Sequence, residues 1–441
     1  MKVLKFGGTS IGSPQRIVDV CNLITKDGQQ KLVVFSAMSG TTNTLTEISN
    51  HYYEGNIKKA SQVILNLQRI YQEHIEALYS TNSCKKKLTD FLNEKIEYLL
   101  SFAKKSFTLV NEKEVLAQGE LISTFMISEY LLEIGVKTAL IPALEFMKID
   151  ENAEPDMAYI ASNIKKYLNP KDDIQIYITQ GYICCNFNGQ IDNLQRGGSD
   201  YTASILGAVT HSEEIQIWTD IDGLHNNDPR IVEKTSPVRH LHFEEAAELA
   251  YFGAKILHPT CIQPAKVANI PVHLLNTVEP NAPGTIINNE SVPNKIKAVA
   301  AKDNITAISI KSSRMLLAHG FLRKIFEIFE TWRTSIDMIC TSEVGVSMSI
   351  DNTKYLKEIT DELEKYGKVS VDRDMCIVCV VGDMVWENLG FESKALNAIQ
   401  TIPIRMISYG GSNYNISFLI KMSDKKQALQ QLSDVLFNDN K

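Results

Sequence analysis

Two glycine pairs in the chain stand beside charged residues that could handle an anion. Lys5-Phe6-Gly7-Gly8-Thr9-Ser10 follows a short apolar run, Val3 to Phe6, and precedes a helix opened by Pro14. Adjacent glycines let the backbone come close to an anion and turn N–H groups toward phosphate oxygens, although the same pair also suits a tight structural turn. The lysine at the strand end sharpens the first reading. A compact ammonium complements charge developing on a transferring phosphoryl group. Gln195-Arg196-Gly197-Gly198-Ser199-Asp200 repeats the device, with a guanidinium on one side and a carboxylate on the other. Arg196 has the planar fork for a bidentate grip on a carboxylate, and the helix start after it adds positive potential. Asp200 suits a helix cap as well as a role in the site.

A third stretch, from Ile217 through Thr219 and Asp220 to Arg230, is a strand end followed by a polar, turn-rich loop. The carboxyl end of a parallel strand is where α/β proteins seat nucleotides. Lys255, in Gly253-Ala254-Lys255, adds a cation at a helix start, where a solvated charge is the alternative. Glu120, after Gly119, interrupts an apolar helical pattern and reads equally as an exposed carboxylate or a buried functional one. Motifs that are missing also discriminate. The chain has no G-x-x-x-x-G-K-[ST] loop, no H-R-D loop and no G-x-G-x-x-G turn, which disfavours P-loop enzymes and protein kinases.

The elements that must position these residues alternate as a parallel α/β fold does. Short apolar runs at Val3 to Phe6 and Leu32 to Phe35 flank a helical stretch, and further strands are predicted near Thr138 to Ile141, Ile174 to Thr179, Ile215 to Trp218 and Val272 to Leu275. Between residues 54 and 103 the period changes. Ile64, Leu67, Tyr71, Ile75 and Leu78, then Leu88, Leu92, Ile96 and Leu99, recur at helical spacing, predicting two long scaffold helices. Pro280, Pro283, Gly284 and the polar run from Asn288 to Asn294 mark a boundary.

Beyond it lies an internal repeat. Ser335-Ile336-Asp337-Met338-Ile339-Cys340 resembles Pro403-Ile404-Arg405-Met406-Ile407-Ser408, and each copy follows an apolar strand and an amphipathic helix, Gly320 to Trp332 and Glu387 to Ile399. Two βαββαβ modules are implied, with edges suited to side-by-side pairing within a chain or across a dimer. Cys376 and Cys379 have the spacing of a zinc or redox half-motif, but they lie in an unbroken apolar run without a second pair, so a core strand is expected.

At 441 residues the chain exceeds one hydrophobic core. A formal net charge of -7 argues against nucleic acid or an anionic membrane as the main partner. No apolar run reaches the roughly 18 residues of a membrane span. Eight scattered cysteines without an export signal suggest free thiols in the cytoplasm.

Taken in order, Lys5 to Ser10, Ser36-Ala37-Met38-Ser39-Gly40-Thr41-Thr42-Asn43, Arg196 to Asp200, Trp218-Thr219-Asp220 and Phe252 to Pro259 strongly resemble the aspartokinases over nearly the whole chain. The tail, at Met315 to Leu322 and Ile336 to Glu343, resembles the paired ACT modules of the monofunctional, lysine-sensitive members. The resemblance implies an amino-acid-kinase fold, a mainly parallel sheet between helices, followed by two ferredoxin-like ACT modules. The domains expected are 1–288 for catalysis, 303–372 for the first ACT module and 373–441 for the second, completed by 289–302.

Carried over by position, Lys5 and Asp200 are implied to be catalytic, with Asp200 orienting groups around both substrates. Lys5, Gly7, Gly8, Thr219, Asp220, His225, Arg230 and Lys255 are implied to hold ATP, with His225 standing where relatives often have a tyrosine. Ser36, Thr42, Glu120, Arg196 and Asp200 are implied to hold L-aspartate. Met315, Gly320, Phe321, Leu322, Ile336, Asp337, Ser342 and Glu343 are implied to hold an amino-acid effector, L-lysine by the resemblance. ATP and Mg²⁺ are the expected cofactors, the metal's protein ligands are left open, and a homodimer or dimer of dimers through the ACT modules is expected. Two alternatives stay open: a related kinase acting on glutamate, acetylglutamate, carbamate or UMP, and a catalytically silent amino-acid sensor.

Overall fold

A computed structural model describes residues 1–168, 173–194, 197–253, 258–312 and 319–437. By internal contacts the chain forms two units, Met1–Leu224 with Leu257–Asn289, and His225–Ile256 with Glu290–Lys441.

In the first unit the strand Lys2–Phe6 lies at the centre of a parallel sheet, with Lys31–Phe35 on one side and Ile215–Thr219 on the other. The sheet continues through Ile176–Gln180 to Thr138–Ile141 on the first side, and through Val272–Asn276 to the antiparallel Thr285–Asn288 on the second. Lys31–Phe35 and Ile176–Gln180 are buried along their whole lengths, as expected of strands covered on both faces. Phe6 stacks on Phe35 and Trp218, with ring centroids 5.6 and 5.7 Å apart, which welds three neighbouring strands.

Pro14–Thr25 is a helix capped by the Ser13 hydroxyl, which accepts from the Arg16 amide, with Pro14 at its first position. The two long helices expected from periodicity are Ile57–Leu78 and Asn82–Ser101, and their apolar stripes pack into the same core as the sheet. The central helix Leu109–Glu133 is buried on most of its circumference, and this explains why its hydrophobic pattern lacks a clear polar face.

The bases of three adjacent strands are tied by one acidic group. Glu214 accepts from Lys2 Nζ at 2.6 Å, from Gln216 Nε2 at 3.0 Å and pairs with His273 Nδ1 at 2.9 Å. Burial opposes its charge, but the bonds from His273, Lys2 and Gln216 outweigh it and bring its pKa down to about 2. Because this carboxyl is depressed in the folded state, its stabilisation is present above its unfolded pKa and disappears as pH falls toward about 2. Glu214→Gln is therefore expected to destabilise the first unit at pH 7 by about 1–3 kcal/mol. The gap from wild type should narrow between about pH 4 and pH 2 in denaturant titrations. An unchanged gap across that range would remove the assignment.

In the second unit, six antiparallel strands run in the order Met338–Ser342, Gly345–Ile350, Ile296–Lys311, Lys368–Gly382, Asn415–Lys421, Met406–Tyr409. The two long central strands are shared. Residues 305–311 of one pair with 368–375 of the other, residues 296–302 pair with 377–382, and the register shifts between Lys302 and Ile305. Each half has its own helices and core, one around Phe321, Ile325, Met348 and Leu363, the other around Val378, Ile399, Phe418 and Leu432. Cys376 and Cys379 are fully buried strand residues, and all eight cysteines are free thiols.

His225–Ile256 groups by internal contacts with the second unit. Val232 enters the core around Val378, Asn227 Nδ2 donates to the Leu429 carbonyl at 3.0 Å, and Asn415 Nδ2 donates to Glu248. The second amphipathic helix of the repeat runs Phe391–Ala398 rather than from Glu387, because Gly390 takes a left-handed φ of 92° and starts it there. Among the described residues no helix is long and apolar enough to cross a membrane.

Candidate active site

The first strand delivers Lys5 to the carboxyl end of the sheet, where the chain turns through Gly7 and Gly8 into the short helix Gly8–Ile11. A Cβ on Gly7 would stand 3.5 Å from Lys5 Nζ, and one on Gly8 would collide with the Ala37 carbonyl. Bare backbone beside an ammonium is what an incoming phosphate needs. Thr219 ends the neighbouring strand and Asp220 follows it, exposed. Thr277 Oγ1 donates to the Thr219 carbonyl and lies 3.0 Å from Ser10 Oγ, so the glycine turn and the end of this strand are linked.

Helix Gly198–Thr210 brings in the second glycine pair. Its N-cap is Gly197, at φ 75°, and no side chain caps it. Asp200 is in the first turn, and its Oδ1 stands 2.6 Å from Lys5 Nζ, both side chains largely buried. The capping alternative for Asp200 therefore gives way to an ion pair across the sheet.

Glu120 arrives from the buried helix Leu109–Glu133 and is 3% exposed. A Cβ on Gly119 would meet the Ala37 side chain at 2.8 Å, so glycine is what allows this helix to touch the loop after strand Lys31–Phe35. Glu120 Oε1 accepts from the Ala37 amide at 3.1 Å, whereas Oε2 is buried without a partner. Burial pushes its pKa up to about 8, and the Ala37 hydrogen bond offsets only part of that. A buried acid with one unpaired oxygen can pair a cation once it gives up its proton.

These groups converge. Lys5, Ser36, Thr42, Glu120, Tyr182, Gly197, Gly198, Ser199 and Asp200 line one cavity of about 420 Å³. Tyr182 and Ser199 were not singled out from sequence. Ser199 is adjacent to the glycine pair, a signal that was available. Tyr182 follows a strand after a single glycine, and no motif marks it.

Arg196, Lys255 and Met315 lie outside the described residues. His225 and Arg230 are described within the second unit, where His225 Nδ1 is 2.8 Å from Thr235 Oγ1 and Arg230 pairs with Asp228 at 2.9 and 2.7 Å. Of the effector set, Gly320 is the left-handed N-cap of helix Phe321–Thr331, Phe321 is buried and Leu322 is partly exposed. Ile336 packs against the core around Phe321. Ser342 ends an edge strand and Glu343 follows it, both exposed. The Asp337 side chain is 1% exposed. Its Oδ1 accepts from Lys302 Nζ at 2.7 Å and Tyr251 Oη at 2.8 Å, and its Oδ2 is buried without a partner. Burial raises its pKa, against the pull of Lys302 and Tyr251.

Among the described residues no cluster of three His, Cys, Asp or Glu side chains forms a metal cage. The Asp200 carboxylate, in the cavity beside Lys5, is a donor of the kind that contributes to an ion carried on nucleotide oxygens and water.

Residues 1–276 match the model of the amino acid kinase family, and residues 378–436 match an ACT domain model. Over 456 residues the chain is 34% identical to Aspartokinase 1, chloroplastic, of Arabidopsis thaliana, covering 99% of this chain and 80% of that protein. Over 447 residues it is 32% identical to Lysine-sensitive aspartokinase 3 of Escherichia coli (strain K12), covering 99% of each. It is similar to the crystal structure of E. coli aspartokinase III in complex with aspartate and ADP (R-state), with a TM-score of 0.86, 31% identity and coverage of 99% of this chain and 100% of that one. For the same enzyme in complex with lysine and aspartate (T-state) the TM-score is 0.80, with 31% identity and 99% of each chain covered.

Proposed function

Because the chain belongs to the aspartokinases, within the amino acid kinase family, we propose that it moves the γ-phosphoryl group of ATP onto the side-chain carboxylate of L-aspartate, giving 4-phospho-L-aspartate and ADP. The observation that carries this reading is the cavity in which the Lys5–Asp200 ion pair and the unpartnered Glu120 oxygen meet.

A free carboxylate has a pKa near ~4 and is already a nucleophile at neutral pH, so the reaction requires no general base. Its difficulty is repulsion between two anions. Lys5 offsets that repulsion at the transferring group, and the amides of Gly7 and Gly8 face the phosphates. Asp200 holds Lys5 in place and would hold a Mg²⁺ ion brought in with ATP, whose charge would further neutralise the phosphates. Glu120 pairs the α-ammonium of aspartate, with Ser36 and Thr42 beside it, which leaves the side-chain carboxylate to face Lys5. Thr219 and Asp220 serve the nucleotide. Arg196 at the α-carboxylate, and His225, Arg230 and Lys255 at the nucleotide, keep these roles on the sequence match alone.

Trapping the acyl phosphate with hydroxylamine tests the reaction, using ATP, Mg²⁺ and L-aspartate, with glutamate, N-acetylglutamate, carbamate and UMP as competing acceptors. Aspartyl hydroxamate as the main product is expected. ATP hydrolysis without any acceptor product would favour the silent sensor.

Regulation by L-lysine at the ACT modules completes the reading, acting through different affinity for two conformations. The unpartnered Oδ2 of Asp337 supports an ammonium-bearing effector there. L-Lysine is expected to inhibit the wild type, and Asp337→Asn should raise the half-inhibiting concentration at least about tenfold, the scale of removing one buried charge partner. Equal inhibition of both proteins would take Asp337 out of the effector site. A homodimer or dimer of dimers, built through the ACT modules, fits the edge strands Met338–Ser342 and Met406–Tyr409. Residence in the cytoplasm suits eight unpaired thiols.

A further inference from the structure

Tyr182 holds a backbone conformation that aromatic residues rarely adopt, and it does so in the wall of the cavity. Its φ is 68°, and the Ile183 amide donates to the Gly181 carbonyl at 2.7 Å across it. A positive φ inside an i to i+2 hydrogen bond is the rare, strained form of γ-turn. Strain of this kind is kept only where surrounding structure enforces it, and it concentrates at functional sites. Glycine would adopt the turn freely, so the backbone alone gives no reason for a tyrosine.

The surroundings do enforce it. The Tyr182 amide donates to Thr202 Oγ1 at 3.1 Å, and that hydroxyl donates to the Gly198 carbonyl at 2.8 Å. The Leu194 amide donates to the Tyr182 carbonyl at 2.7 Å, and the Gly181 amide donates to the Phe35 carbonyl at 2.9 Å. A Cβ on Gly198 would come within 2.7 Å of the Tyr182 ring, and one on Gly181 would run into the Ser199 side chain. The γ-turn and the helix start therefore interlock with no spare volume. That helix start carries Asp200, the partner of Lys5. Burial, with the nearby Glu120 adding to it, pushes the Tyr182 hydroxyl up to about 12, so the ring enters the cavity uncharged.

We infer that Tyr182 is a positioning residue for the acceptor amino acid, its strained turn and ring fixing the Gly198–Ser199 backbone in the cavity that Glu120 also lines. The inference rests on the proposed aspartate kinase activity and adds to it a residue that sets how the acceptor is held. A ring that shapes the acceptor side should govern capture of aspartate and leave capture of ATP alone.

The test is steady-state kinetics of wild type, Tyr182→Phe and Tyr182→Gly with each substrate varied in turn. Tyr182→Phe keeps ring and turn, so both KM values should stay within about threefold of wild type. Tyr182→Gly keeps the turn and removes the ring, and should raise the aspartate KM about tenfold or more while the ATP KM stays within about threefold. Should the glycine variant not fold, Tyr182→Asn, which tolerates positive φ, carries the same expectation. A role in folding alone would lower kcat through loss of active enzyme and leave both KM values unchanged. That pattern overturns the inference, as does an aspartate KM within threefold of wild type or a parallel rise in both constants. If wild-type protein forms no aspartyl hydroxamate, the activity itself is refuted and the inference falls with it.

Discussion

Lys5→Ala is expected to lower kcat by at least about 10²-fold, the scale for losing one preorganised charge partner of a transition state. The ammonium sits at the end of a central strand paired on both sides, with Lys31–Phe35 and Ile215–Thr219, so its position is set by the sheet and not by a flexible loop. It is 2.6 Å from Asp200, and both side chains are largely withdrawn from water, where an electrostatic contact is far stronger than in bulk solvent. Removing the lysine does more than delete a donor. Asp200 is left as an uncompensated anion in the cavity that must admit a nucleotide and a second carboxylate, so the ATP KM should rise as kcat falls. Lys5→Arg keeps the charge but spreads it over a planar fork, and it should recover only part of the loss. Hydroxamate formation by purified variants, with folding checked by circular dichroism, measures this. Turnover near the wild-type value in Lys5→Ala would remove Lys5 from the chemistry.

Glu120→Gln is expected to raise the aspartate KM by about 30-fold or more, which corresponds to about 2 kcal/mol for one partner of a buried charge pair. The substitution preserves shape and the acceptor for the Ala37 amide, and it deletes only the charge available to an α-ammonium. A pH signature follows. With a pKa raised to about 8 by burial, Glu120 is mostly protonated at neutral pH, and the neutral acid cannot pair a cation. Binding aspartate below about pH 8 must therefore expel a proton. The wild-type aspartate KM should fall as pH rises from about 6 to 8, approaching tenfold per pH unit at the acid end, and then level off. Glu120→Gln should lose this dependence. A flat wild-type profile over that interval would mean that the carboxylate is already ionised before the substrate arrives.

Much of the fold was legible because its signals are local. Lys31–Phe35 announces itself as a strand buried on both faces through an unbroken apolar run, and Ile57–Leu78 announces one buried stripe through its spacing. Where a helix start was misjudged, a single backbone angle decided it: the helix expected from Glu387 starts at Phe391 because of the φ of Gly390. The contacts that Val232 and Asn227 make near Leu429 are long-range, and no local signal marks them.

The site divides along the same line. Which residue types were present, and that two glycine pairs stand next to charge, is written in the order of the amino acids, and this determined the kind of chemistry to expect at Lys5, Arg196 and Asp200. That Asp200 pairs with Lys5 instead of capping its own helix, that Glu120 is sealed from water with one oxygen unpaired, and that Tyr182 is bent into a strained turn were decided only by the tertiary structure. Periodicity and turn chemistry act over a few neighbours, so they survive in the sequence. Ion pairing, desolvation and enforced strain depend on segments far apart in the chain, 195 residues for Lys5 and Asp200, and they come into being when those segments close on one another.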